Sequence, residues 1–393
     1  MATAASDDVS ARAVPAGPAH VAVVSFLAAR AAPTGGFWIA LAGGVALART
    51  AERRGARLGF GTSAAAMLET VAIIGPARFG IPLTQAVTAP MLGRMEARSV
   101  AVLPQILACA AIRLLHNAAT TAFFIWVIAG GLDAYAGTYD ALGRRIGIEV
   151  GTADALGLTV AGLLAWAAFA SVVQVLVYRR GLRNWEGFEA SAGDASDVRR
   201  DMRDQRQSRG AGRRRWDPRV VTLAAAIAFA LLLSGTSWPL LAAVAAALAI
   251  AWIAAPTDNE PVKTGLIFAA ILAGGALAFS LGGGLGLDEA ARRATRAALL
   301  VLAATWMRAA AGAEGLREVG RRVLERLRRI PAADEAAHVL DSLESEGRLA
   351  EAGHALAARL SGVKRRPLPF VDAVLAWVVS ESQRGARADT SRL

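Results

Sequence analysis

The chain has 393 residues, of which 55% are hydrophobic, and its mean hydropathy is +0.41. This apolar content is higher than that of ordinary soluble domains, so it predicts an integral membrane protein built from helices. The net charge of +11 comes almost wholly from arginine, since lysine occurs only at Lys263 and Lys364. The arginines flank hydrophobic runs, as the positive-inside rule describes for cytoplasmic loops, and we therefore expect no nucleic-acid partner.

Hydrophobic runs and charged stretches divide the chain into two membrane modules and a tail. We expect an all-α, polytopic membrane protein with about ten transmembrane helices, because one span needs roughly 20 apolar residues. The arginine-rich linker and tail predict a multi-pass protein of the cell (inner) membrane with a cytoplasmic C-terminus. The predicted parts are a polar N-terminus (1–18), a first membrane module of about six spans (19–180), a charged cytoplasmic linker (181–215), a second membrane module of four spans (216–312) and a tail of cytoplasmic coupling-type helices (313–393).

Short apolar runs alternate with breaks in the first module. Residues 20–32 and 36–47 are separated by a Pro-Thr-Gly sequence. These two runs predict either a tight hairpin or an interfacial helix plus one span. Further along, the sequence predicts spans at 99–115, 118–131 and 154–178 and a polar loop at 135–153.

Residues 62–92 are apolar but contain features that interrupt a helix. A helix must break near Gly75-Pro76, because proline removes a backbone donor and clashes with the preceding turn. Broken helices at membrane depth persist where the freed backbone is buried in protein or lines a cavity. Glu69 and Arg78 are therefore candidate substrate-binding residues. The alternative is a hairpin with Arg78 in its loop and with Glu69 hydrogen-bonded for structure.

His116 and Asn117 are two further substrate-binding candidates, at the predicted junction between two spans. A polar pair at a helix junction can bind a ligand, although polar residues are also usual at membrane interfaces. The chain has one cysteine, Cys109, and its four histidines lack the spacing of a metal site. It has no P-loop motif and no Gly-x-Ser-x-Gly motif. We therefore expect no enzyme activity, no metal and no cofactor.

The second half begins with two apolar runs, 220–236 and 238–255, which predict a helical hairpin. Spans at 264–287 and 294–310 follow, and the tail then begins with a stripe of apolar side chains at helical spacing over 316–330. Arginines occupy the rest of that helix, and Pro331 ends it. Such a basic amphipathic helix binds either a partner protein or anionic lipid.

Three features of residues 213–393 resemble the transmembrane T component of energy-coupling-factor (ECF) importers. Trp216-Asp217-Pro218-Arg219 is similar to the family's Leu-Asp-Pro-Arg-type opening. The segments Glu314-Gly315-Leu316-Arg317-Glu318 and Leu327-Arg328-Arg329-Ile330-Pro331 are similar to the family's entry into its coupling helices. Gln383-Arg384-Gly385 resembles the terminal Ala-Arg-Gly motif, whereas the first such motif has only a rearranged counterpart in Glu346-Gly347-Arg348.

The resemblance implies a membrane subunit of an ECF-type ABC importer, which couples partner ATPases to a substrate-capturing membrane module. Arg384, Gly385 and Arg348 are the ATPase-coupling residues that it implies. The expected partners are P-loop ATPase subunits, the lipid bilayer and a separate substrate-binding membrane subunit. The alternative function is a non-transport membrane scaffold or sensor, whose helical tail binds a cytoplasmic protein.

Overall fold

The computed structural model describes residues 16–31, 36–76, 82–187, 216–254, 259–343, 346–361, 363 and 367–390. Every regular element in these ranges is helical, which confirms the expected all-α class. The helices are α1 (Ala16–Ala31), α2 (Gly36–Arg54), α3 (Ala56–Ile74), α4 (Pro82–Ala97), α5 (Val102–Phe123) with a π-helical continuation (Phe124–Ala129), α6 (Leu132–Arg145), α7 (Thr152–Arg183), α8 (Pro218–Ser234), α9 (Trp238–Ala254), α10 (Asn259–Gly282), α11 (Leu287–Arg326), α12 (Pro331–Ser342), α13 (Glu346–Ser361) and α14 (Pro367–Thr390).

Five of these helices are long and apolar enough to cross a membrane, namely α3, α5 with its π-helical continuation, α7, α10 and α11. Helices α8 and α9 are also apolar but have only 17 residues each. Large apolar side chains are exposed on six of the seven helices, for example Leu107, Leu164, Ile253 and Ile271. These features suggest a multi-pass membrane protein. The expectation of about ten spans exceeds these five and stays a prediction.

The first four helices pack with the last three in one hydrophobic core. Residues 21–26 of α1 are at most 3% exposed, and α1 packs against α2 as a hairpin, which was one of the two arrangements predicted. Val374 and Trp377 of α14 are buried in the same core. The tail thus covers the hairpin, and both segments lose their apolar surface to each other.

The predicted break at Gly75-Pro76 is confirmed, because α3 ends at Ile74 and α4 begins at Pro82. Gly75 adopts a φ of +81°, which glycine accepts without steric cost, and its amide donates to the Val71 carbonyl at 2.8 Å. Arg78 lies outside the described residues.

Two predictions for the region after α4 are wrong. The spans expected at 99–115 and 118–131 are one helix, α5 with its π-helical continuation, which the hydrogen bond from Arg113 to Gln174 connects to α7. The segment 135–153, expected as a polar loop, begins within helix α6. Its polar side chains conceal an apolar face, on which Tyr135 packs against Phe279 of α10. Tertiary contacts thus stabilise a helix that composition alone disfavours.

The π-helical turn after α5 closes at Gly130, which has a φ of +98° and donates to the Ile125 carbonyl at 2.8 Å. A Cβ atom added to Gly130 would overlap the guanidinium group of Arg293 on α11. Arg296, one turn further along α11, donates to the Val127 carbonyl in the π-helical turn. The glycine therefore lets Arg293 approach the irregular backbone, which Arg296 also contacts.

We expect Gly130→Ala to lower the free energy of unfolding by about 1–3 kcal/mol from backbone strain, with a further loss because Arg293 must move. Gly131→Ala is the matched control, since Gly131 has a φ of +109° but no atom within 4 Å of an added Cβ. Thermal unfolding of both variants in detergent measures the difference. Equal destabilisation would show that the contact with Arg293 contributes nothing.

The 40 residues of α11 form two helical segments that meet at Gly312, in agreement with the predicted span followed by a separate tail helix. Gly312, at this kink, has φ +71° and ψ 171° and is the last residue of the predicted second membrane module. The helix ends at Arg326, and α12 begins at Pro331, where the missing amide of proline costs no hydrogen bond. The tail therefore begins directly at the end of a helix that is long and apolar enough to cross a membrane.

Candidate functional site

A buried ion pair joins α3 to the part of α11 that follows the Gly312 kink. The Glu69 side chain has no exposed surface, and Arg317 is 12% exposed. Arg317 Nε donates to Glu69 Oε2 at 2.6 Å, and a second guanidinium nitrogen donates to Glu69 Oε1. This bidentate arrangement is the stronger form of such a pair, and removal of either partner would strand a buried charge.

Further contacts hold α3 along its length. Arg308 of α11 donates from Nε to the Ile73 carbonyl at 2.9 Å, near the end of α3. At the other end, Arg57 Nε lies 3.0 Å from Glu335 Oε1 on α12. A Cβ on Gly61 would come within 2.6 Å of Glu335 Cβ, so glycine permits this close packing. A displacement of the tail has to break these contacts or move α3 with it.

The start of α8 touches α11 just past the kink. Asp217 caps α8 by accepting from the Arg219 amide at 2.9 Å, and Pro218 occupies the first turn. Both residues are favourable at a helix N-terminus. A Cβ on Gly315 would approach Pro218 Cβ to 2.9 Å, so the missing side chain lets the two helices meet. The segments 216–219 and 314–318, which both carry the resemblance to the ECF T component, are therefore in contact.

Of the four predicted substrate-binding residues, Glu69 is an element of the ion pair with Arg317, which agrees with the structural alternative considered for it. His116 and Asn117 lie half-buried within α5, and both of their carbonyls accept from the Thr120 hydroxyl. Arg78 is outside the described residues.

The predicted ATPase-coupling residues lie in the tail. Arg348 belongs to α13, and Arg384 and Gly385 belong to α14, but their side-chain surroundings are outside the described part of the chain. Their proposed role is therefore neither supported nor opposed by a contact. The helices that carry them pack on the core formed with α1 and α2.

A second buried polar cluster escaped the sequence interpretation. Arg113, which is 5% exposed, donates to Gln174 Oε1 at 2.5 Å, and Gln174 Nε2 donates to Thr88 Oγ1 at 2.7 Å. Within the described ranges, no carboxylate forms an ion pair with Arg113, so this buried guanidinium is bonded to the neutral acceptor Gln174. The available signal was a lone arginine inside an apolar helix, since charged groups at membrane depth are functional candidates.

The arrangement consists of fixed charges that position helices. Among the residues that the structure describes, no group of three or more His, Cys, Asp or Glu side chains is placed to hold a metal ion. No protein-family model, curated protein or solved structure matches the chain. Any assignment of function therefore rests on the site geometry and on the resemblance of individual motifs.

Proposed function

We propose that the chain is the membrane subunit of an ECF-type ABC importer, in which the tail couples P-loop ATPase subunits to the membrane helices. The observation that supports the proposal is the direct junction at Gly312, where the predicted span of α11 meets the first tail helix without an intervening loop. A force applied to the tail would reach the membrane part through this junction.

The contacts around the kink support the same role. The Glu69–Arg317 pair and the Arg308–Ile73 hydrogen bond attach α3 to α11 on both sides of Gly312. Pro218 contacts Gly315, so the start of the second membrane module meets the start of the tail. A rotation of the tail would thereby move α3 and α8 as well. The substrate-capturing role belongs to the first module or to a separate membrane subunit.

Affinity purification of the full chain from native membranes tests the proposal. We expect the wild-type chain to recover an ATPase that mass spectrometry identifies by its P-loop sequence. Arg384→Glu should abolish this recovery, because it reverses the charge that would pair with an acidic groove of the ATPase. Arg326→Glu makes the same charge change at an exposed tail residue outside the segments that carry the resemblance, and it should retain the ATPase.

Absence of an ATPase from the wild-type sample would overturn the coupling role. The alternative, a non-transport scaffold or sensor, would then take its place. Equal recovery of the ATPase with all three chains would contradict the assignment of Arg384, although it would preserve the partner.

A further inference from the structure

An open cleft lies where the C-terminal end of α5 meets the N-terminal half of α7, remote from the arginine-rich end of α7. At that arginine-rich end, Arg183 Nε donates to Glu96 Oε1 of α4 at 3.2 Å, and Arg179 lies 3.5 Å from the same oxygen. The positive-inside rule assigns that end to the cytoplasm, so the cleft belongs to the opposite side of the membrane. Its volume is about 430 Å³, within the range of small-molecule sites.

Hydroxyl groups and aromatic rings line the cleft. The π-helical turn after α5 begins in its wall, and such turns are frequent at functional sites. The aromatic rings of three helices pack together there, with Phe124 and Phe279 centroids 5.1 Å apart. The lining residues include Thr120, Phe124, Tyr139, Thr159, Gly162 and Phe279.

The hydrogen bonds among these hydroxyls have a defined direction, because each hydroxyl has only one hydrogen. Thr159 donates its hydrogen to the Ala155 carbonyl at 2.8 Å. The arrangement that keeps this bond has Tyr135 donating to Thr159 Oγ1, at 2.6 Å, and Tyr139 donating to Tyr135, at 3.2 Å. The Tyr139 oxygen is left as a hydrogen-bond acceptor at the end of the chain.

The Thr120 hydroxyl also presents a hydrogen-bond acceptor to the cleft. Its hydroxyl hydrogen is shared between the carbonyls of His116 and Asn117, both at 3.0 Å, so its oxygen also remains an acceptor. The described residues that line the cleft include no acidic or basic side chain. Burial raises the pKa of the Tyr135 phenol, which consequently stays protonated and neutral. The cleft thus presents neutral acceptors beside aromatic rings.

We infer that this cleft binds a small, uncharged ring compound whose N–H or O–H groups donate hydrogen bonds to Tyr139 and Thr120. The ring would pack against Phe124 and Phe279, and the neutral lining would disfavour a charged ligand, which would lose its hydration without a counter-charge. The inference does not depend on the proposed coupling role, because it concerns binding to this chain alone.

Indole and 1-methylindole are suitable probes, because they share one ring system and only indole has an N–H donor. Saturation-transfer NMR with the full chain in lipid nanodiscs measures the binding of each compound. We expect 1-methylindole to bind about tenfold more weakly, which corresponds to the loss of one hydrogen bond. Tyr139→Phe, which removes an acceptor and keeps the ring, should reduce this preference for indole.

A pair of variants locates the binding site. Gly162→Phe would fill the cleft, whereas Gly157→Phe places the same side chain on the same helix away from the lining residues. An added Cβ has no atom within 4 Å at either glycine, so both variants should fold. We expect the indole signal to persist in Gly157→Phe and to fall at least about tenfold in Gly162→Phe.

Two results would overturn the inference. Equal indole binding by Gly162→Phe and wild type would show that the probe binds elsewhere or only enters the lipid. Equal binding of indole and 1-methylindole would show that the N–H donor contributes nothing, and that the cleft is an apolar groove that an acyl chain fills. Because no ATPase is present in the nanodiscs, neither result bears on the proposed coupling function.

Discussion

Arg317→Ala is expected to lower the free energy of unfolding by about 3–5 kcal/mol, because it strands the carboxylate of Glu69 in the protein interior. Glu69 has no exposed surface, and Arg317 provides both of its charge-assisted hydrogen bonds. The carboxylate cannot move into water without separating α3 from α11. Thermal unfolding in detergent, followed by loss of the monomer peak in size-exclusion chromatography, measures the effect.

A double variant distinguishes a stranded charge from a general loss of packing. Glu69→Leu combined with Arg317→Met replaces both charges by apolar groups of similar size, and it should recover most of the lost stability. Arg321→Ala is the matched control, because Arg321 pairs with Glu318 on the surface of the same helix. An exposed pair contributes little, so this control should unfold almost as wild type does. A double variant that is less stable than Arg317→Ala would disprove the explanation.

Gln174→Leu should produce the second large effect, a loss of about 3 kcal/mol, because it removes the neutral acceptor of the buried Arg113 guanidinium. The substitution nearly conserves volume, so the loss reports the missing hydrogen bond more than a cavity. The same unfolding measurement applies. A change below about 1 kcal/mol would mean that Arg113 finds another acceptor when Gln174 is absent.

Removal of both groups should be better tolerated than removal of the amide alone. Arg113→Met with Gln174→Leu leaves neither a buried charge nor its unsatisfied partner, so this double variant should be more stable than Gln174→Leu. Additive losses would show instead that Arg113 and Gln174 contribute to stability independently of each other.

The amino-acid sequence alone specified the all-α class, the presence of several long apolar helices and the positions of several helix ends. Apolar content and arginine flanks act locally, and they suffice to predict a protein with several apolar helices. The break at Gly75-Pro76 and the helix start at Pro331 were also predictable, since proline and glycine restrict or free the backbone wherever they occur. The extent of the hairpin formed by α8 and α9 followed from the same local signals.

Which buried polar groups contact each other depends on the tertiary structure. Glu69 and Arg317 are 248 positions apart in the chain, and Arg113 and Gln174 are 61 positions apart. No periodic pattern encodes such pairs, because a partner is chosen by the packing of whole helices. The same limitation explains the wrong division of α5 into two spans and the overlooked helix α6, whose apolar face is stabilised by α10. Apolar burial is predicted by local composition, whereas compensation of a buried charge depends on distant residues brought together by folding.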